Sequence, residues 1–354
     1  MSNLTIEELP LPASVDSPEG ADFVRAIEVG NAVEALSFGT PDLAYAPDEE
    51  LSDFHNPHQP RRMWLARVDG VVVGSATVDW LRDDDATAWV TCLVLPDFRR
   101  RGIGTALADA VEGVAREAGR RNAISYVASV GQDGDRLPSP TGFGSVPREH
   151  GDTRFALARG FKLEQVERVS RLALPVDGLA DRLAAAEERS GPDYRVHRWI
   201  GRTPERFIDD AAFINTRMSI DAPTAGLDEP EDVWTAERLV TEELRTERTS
   251  PRRRMTVVVE HLPSGHLVGK SVLSLPPQTS RAVQQYMTLV LREYRGHGLG
   301  MLLKLANLAY LEEASPGHPS VITFNAEENR PMLDTNEALG FVPIASEGAW
   351  QKVL

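Results

Sequence analysis

Apolar positions at Phe23, Val24, Ile27, Val29, Val33 and Leu36 recur at helical spacing over residues 21–38. An alternating run at 4–9 before them predicts a first strand. Residues 41–60 are rich in turn formers, with a short helix at 49–54. Two β-rich runs, 63–68 and 71–76, flank Asp69-Gly70, which is a strong hairpin signal. A strand at 87–95, a helix at 105–115 and a strand at 123–128 follow. Residues 132–152 are dominated by Asp, Gly, Pro and Ser and predict a long surface loop, functional or disordered. A short helix closes at Gly160, and a strand over 165–174 ends at Pro175.

The pattern then restarts. A helical segment over 177–188, closed by Ser190-Gly191-Pro192, reads as a connector. Beyond it come a strand (194–200), helices (204–218 and 232–246) around a loop (221–226), and a hairpin of strands 255–261 and 266–275. A strand at 283–290, a helix at 302–313, a strand at 320–325, a helix at 329–338 and one or two strands over 342–354 complete the chain. The same order of elements thus occurs twice. The halves predicted are residues 1–176 and 193–354, with 177–192 as linker.

The duplication is clearest in one stretch. Val94-Leu95-Pro96-Asp97-Phe98-Arg99-Arg100-Arg101-Gly102-Ile103-Gly104 matches Val290-Leu291-Arg292-Glu293-Tyr294-Arg295-Gly296-His297-Gly298-Leu299-Gly300, at an offset of 295 − 99 = 196 residues. Each is a strand, an Arg-x-x-Gly-x-Gly turn and a helix. A strand entering a helix through glycines exposes consecutive backbone N–H groups at the positive end of the helix dipole, which suits a pyrophosphate. Arg99, Arg100 and Arg101, or Arg295 and His297, add charge, and a side chain at Gly104 or Gly300 would obstruct the anion. A dinucleotide fold would need a third glycine in a first βαβ unit, and a Walker loop would need Gly-Lys-Ser/Thr; both are lacking.

Composition narrows the reading. The chain of 354 residues is long for one core and carries a net charge of −15, which argues against a nucleic-acid partner and suits a cationic one. No apolar run approaches the ~20 residues of a membrane span, and the first residues carry no secretory signal. The single cysteine, Cys92, lies in a β-rich run and reads as a core residue. These features predict a cytoplasmic protein. The histidines His55, His58, His261 and His266 lack companion ligands at metal spacing, so no metal is expected.

In this order of elements, the two Arg-x-x-Gly-x-Gly turns resemble the acyl-CoA signature of the GNAT superfamily of N-acetyltransferases, and two copies resemble its tandem members common in actinobacteria. The resemblance covers nearly the whole chain. It implies an α+β fold of two GNAT-like domains, each a mixed, mostly antiparallel central sheet flanked by helices. It implies acetyl-CoA as co-substrate, held by the strand ends around Leu93, Val94 and Leu95 or Leu289, Val290 and Leu291. The pyrophosphate would lie on Arg100, Arg101, Gly102, Ile103, Gly104 and Thr105, or on Gly296, His297, Gly298, Leu299, Gly300 and Met301.

The second half also carries Asn329 followed by Leu339-Gly340-Phe341, which matches the family's Asn-x-x-(small or apolar) and Leu-Gly-Phe segment. Asn329 would seat the cofactor, cap a helix, or both. The first half keeps Arg159-Gly160-Phe161 but has Glu149 in place of the Asn. The second half is therefore the expected catalytic half. The tyrosine that serves many members as general acid is replaced by Asn336 and by Ala156, so that role is unassigned. The resemblance implies direct acetyl transfer to a primary amine of a small molecule, with Asp221 and Glu260 as candidate bases. Rival readings are acetylation of a cysteinyl amine, as in mycothiol synthases of the tandem type, and a non-catalytic acyl-CoA sensor or scaffold. The chain is expected to be a monomer or homodimer.

Overall fold

The computed structural model describes residues 3–131 and 133–354; Met1, Ser2 and Gln132, the first residue of the predicted loop, lie outside them. The first half runs β1 (Leu4–Leu9), α1 (Gly20–Ser37), α2 (Pro47–Phe54), β2 (Arg61–Val68), β3 (Val71–Asp79), β4 (Thr87–Val94), α3 (Ile103–Glu117) and β5 (Asn122–Ser129). A small hairpin of β6 (Arg136–Pro138) and β7 (Ser145–Pro147), α4 (Gly151–Ala158) and β8 (Lys162–Ala173) complete it. After the connecting helix α5 (Leu179–Ser190), the second half runs β9 (Tyr194–Ile200), α6 (Ile208–Asp221), α7 (Ala236–Thr249), β10 (Arg253–His261), β11 (His266–Leu275) and β12 (Val283–Val290). It closes with α8 (Leu299–Ala314), β13 (Ser320–Ala326), α9 (Arg330–Leu339) and β14 (Val342–Val353). The repeated order predicted from the sequence is present.

The two halves share one twelve-stranded sheet, ordered β1-β2-β3-β4-β5-β14-β8-β13-β12-β11-β10-β9. The final strands are exchanged. β14, the last strand of the chain, pairs antiparallel with β5 of the first half, and β8 pairs with β13 of the second. β8 and β14 pair with each other at the centre, where Glu167 lies directly opposite Glu347. An approximate two-fold axis passes through that pair. Each exchanged strand carries apolar side chains into the other half: Trp350, fully buried, packs with Val111, Phe161 and Val166, while Leu172 packs with Leu303, Val321 and Phe341. Burial of such side chains is the main favourable term in joining the halves.

Ion pairs secure the contact. Glu49 of α2 is buried and receives Arg281 at 2.8 Å and Arg252 at 3.4 Å, both from the second half. Burial works against its charge, yet the two guanidiniums hold the carboxyl below its ordinary range. The predicted 132–152 loop is largely ordered: β6 and β7 pair, and Val146 sits in the first-half core at 1% exposure.

Candidate active site

In each half two parallel neighbours pair briefly and then part. β4 and β5 are bonded only from Thr87↔Asn122 to Trp89↔Ile124, and β12 and β13 only at Val283↔Val321 and Gln284↔Ile322. Beyond those points, one edge of each first strand has no strand partner. Such unpaired N–H and C=O groups are free to bond a ligand. The glycine turn follows directly. Arg100 and Gly102 in the first turn, and Gly296 and Gly298 in the second, have positive φ of 62°, 81°, 90° and 76°. The N-caps Gly102 and Gly298 offer no capping side chain, so the first-turn N–H groups of α3 and α8 remain available. The left-handed turn geometry needs glycine at three of those four places; Arg100 bears the strain of the fourth.

The first motif arginine acts backwards in both turns. Arg99 Nε donates to Val94 O and Arg295 Nε to Val290 O, each at 3.0 Å. Through this bond they brace the turn on the preceding strand, with the remaining guanidinium nitrogens still partly exposed. Arg100 and His297 are exposed at their turns, and Arg101 donates to Asp97 O at 2.7 Å. The side chains of Val94, Ile103, Leu291 and Leu299 are buried, so these residues offer only their backbones; Leu95, Val290 and Met301 are partly covered and Thr105 is exposed.

The gaps differ in what fills them. Between β4 and β5 lies a cavity of about 260 Å³ that passes through the sheet. One side is lined by Ala108, Val111, Asp152 and Phe155 of α3 and α4, and the other by Glu34, Ser37 and Phe38 of α1 together with Glu347 of β14. Thr91, Cys92 and Leu93 form one wall and Ser125, Tyr126 and Val127 the other. In the second half the position matching Ala108 is Lys304, and that matching Val111 is Asn307. Lys304 is buried, its Nζ 3.3 Å from Gln285 Oε1 and 5.5 Å from the Phe341 ring centre. Burial brings its ammonium down to about 7. Asn307 donates to Ser271 Oγ at 3.3 Å, and Gln285 spans to Val272 O and Met287 O at 2.9 Å. Polar side chains thus occupy the place that is open in the first half. Arg189 of α5 also lies over the second turn, within 3.4 Å of where a Cβ on Gly298 would sit.

The cavity's carboxyls were not singled out by the sequence. Burial, and then Glu50, pushes Glu34 up to about 7. Burial, and then Glu167 and Glu34, raises Glu347 well above the usual carboxylate range. Burial likewise lifts the Cys92 thiol to about 12, so it remains a neutral thiol, with Sγ 3.5 Å from Gly104 O. The sequence signals existed. Half-buried Glu34 shares the face of α1 that carries Ile27, one turn before the buried Phe38, and Glu347 falls between the buried Ala345 and Ala349. A carboxylate inside an apolar stripe is worth noting wherever it occurs.

The two predicted bases are not in a gap. Asp221 is a hub for Arg217 at 2.5 Å and for Arg292 and Arg295 at 3.4 Å, which ties α6 to the second turn. Glu260 lies on β10, two strands outward from β12, with Oε2 2.6 Å from His197 Nε2. Neither carboxyl is among the residues lining the through-sheet cavity of the first half. Asn329 occupies the N-cap of α9 but makes no side-chain cap bond. Asn336 is buried and donates to Asn325 Oδ1 at 2.7 Å.

Comparison with known proteins agrees with this geometry. The Acetyltransferase (GNAT) family matches residues 32–135, which contain the open gap and the first glycine turn. A tandem GNAT protein from the clavulanic acid biosynthesis pathway superposes with a TM-score of 0.72 at 26% identity, covering 99% of this chain and 98% of that one. The chain is an acyltransferase with a GNAT domain in its first half, and over its whole length it is similar to a tandem GNAT protein. A mycothiol acetyltransferase of Salinispora arenicola is 28% identical over 96% of this chain and 94% of its own length. A GCN5-related N-acetyltransferase from Sphaerobacter thermophilus shares the fold, with a TM-score of 0.62 at 16% identity, over 99% of this chain and 95% of that one. The GNAT family generally uses acetyl-CoA, and a GNAT acyltransferase implies a small-molecule acceptor. Among the described residues, no helix is long and apolar enough to cross a membrane, and no group of His, Cys, Asp and Glu could hold a metal ion.

Proposed function

We propose that this protein moves the acetyl group of acetyl-CoA directly to a primary amine of a small molecule, and that it does so in the first half. The observation that carries the reading is the through-sheet cavity between β4 and β5, which joins the α3 side to the α1 side. The N–H groups of residues 100–105 would hold the pyrophosphate. The free edge of β4 beyond Trp89 would hold the pantetheine arm, with Ala108 leaving it room. The second half, expected from the sequence to be catalytic, serves in this reading as a scaffold that supplies β14 and Glu347.

In the reaction a nitrogen–carbon bond forms and the thioester carbon–sulfur bond breaks; the acceptor ammonium gives up two protons, one to a base before attack and one that ends on the departing thiolate. Glu34, at the α1 mouth and with its pKa near 7, is suited to take the first proton. The free N–H groups of β4 would stabilise charge on the carbonyl oxygen. Departure of a thiol of ordinary acidity demands little help, which fits a cavity whose matching position is Ala156 rather than tyrosine. Thiol release from acetyl-CoA against a panel of amines tests the proposal. Turnover with at least one small primary amine is expected; acetyl-CoA binding with no turnover on any acceptor would favour the sensor reading. A cysteinyl amine belongs in the panel, because the Salinispora relative is named for mycothiol.

A further inference from the structure

Carboxyls continue beyond the gap along one face of the central sheet. The cavity containing Glu34, Tyr126 and Glu347 adjoins a second one, of about 330 Å³, through Tyr126. The second is lined by Gln165, Glu167 and Glu229 and roofed by residues 222–224 of the second half. Glu229 accepts from Tyr126 Oη at 2.9 Å and Trp89 Nε1 at 3.3 Å. The half-buried carboxyls of Glu34, Glu167 and Glu347 have no hydrogen-bond or ion-pair partner among the described residues. Burial, then Glu229 and Glu328, lifts Glu167 to about 7. Gln165 Nε2 holds Glu328 Oε1 at 2.7 Å, while Oε2 of Glu328 is buried without a partner. Arg61, on the α1–α2 side, is committed to Asp79 at 3.6 Å and Glu50 at 3.8 Å.

Half-buried carboxyls that line a cavity with no cation beside them favour a ligand that brings one. Resting on the transfer reading above, we propose that the acceptor is a linear diamine or polyamine. Its attacking nitrogen lies at Glu34 and Glu347, and a second ammonium lies along the row at Glu167 and Glu229. The exchange of β8 and β14 is what builds this row, because Glu167 and Glu347 come from different halves and meet at the two-fold axis. The attacking nitrogen must be neutral, so its proton leaves to Glu34. The second ammonium keeps its charge throughout and only positions the chain.

Calorimetry in the presence of CoA, with cadaverine and pentylamine as matched probes, tests the row independently of turnover. Cadaverine is expected to bind about ten-fold tighter, the effect of one well-placed charge pair. Glu167→Gln/Glu229→Gln should remove that preference while leaving the protein at least as heat-stable as the parent, since two acids with raised pKa are gone and the glutamine oxygen can still accept from Tyr126 and Trp89. Equal affinity for the two amines, or a preference that survives the double substitution, would overturn the inference. Selective cadaverine binding without thiol release would uphold the cation row and sink the transfer reading instead.

Discussion

Four residues beyond the last glycine of its turn, the first half carries Ala108 and the second Lys304, and the two gaps differ accordingly. The backbone is nearly the same in both: short parallel pairing, a brace from the first arginine, two left-handed residues and an uncapped helix. Side chains make the difference. Ala108 and Val111 line a passage through the sheet, whereas at the matching place Lys304 donates to Gln285, and Gln285 and Asn307 both donate to Ser271 Oγ. A duplicated motif therefore reports a shared fold, and a few positions outside the motif decide which copy has room for a ligand.

Closing the first gap should have the largest effect. Ala108→Lys imitates the second half and is expected to lower turnover by about a hundred-fold or more, since even small misplacement of reactants costs that much. Gly104→Arg should act similarly, whereas Gly300→Arg should leave turnover within a few-fold. Steady-state thiol release on the three variants checks this. The reverse order would restore the second half to the catalytic role that Asn329 suggested.

Glu34→Gln is next. Loss of a general base typically costs about 10²–10⁴-fold. The unmodified enzyme should gain activity as pH rises through about 7, because Glu34 is neutral below its raised pKa and accepts a proton only when ionised. The glutamine variant should lose that limb of the profile. An unchanged limb would assign the base elsewhere.

Stability measurements address how far the halves depend on each other. Trp350→Ala removes a fully buried indole of the second half from the core of the first, at a cost of about 3–5 kcal/mol. A chain ending at residue 192 lacks β14 altogether and should not fold independently. Glu49→Gln is expected to cost about 3 kcal/mol at neutral pH. Its carboxyl is held low in the folded state, so the contribution is complete above the unfolded pKa and fades as pH falls through the folded one. Denaturant titrations of parent and variant should converge in acid; a gap that persists there would mean that packing, not charge, is responsible.

The element order, the duplication and both turns followed from sequence because they rest on local periodicity and on glycine. The strand exchange did not, since nothing in residues 342–353 states whether they pair with β5 or with β13. The expected active half and the half proposed here differ for a related reason. Asn329 is a positive signal within a motif, whereas Lys304, on which the proposal turns, looks in sequence like an ordinary lysine on a helix; packing shows that it is buried. Asp221 and Glu260 were chosen by position in the chain, and their partners Arg292, Arg295 and His197 lie on other elements.

Calorimetric titration of acetyl-CoA into the parent, Ala108→Lys and Gly300→Arg proteins tests the central asymmetry most directly. One site per chain is expected in the parent, absent in Ala108→Lys and retained in Gly300→Arg. A site that survives Ala108→Lys and disappears in Gly300→Arg would contradict it.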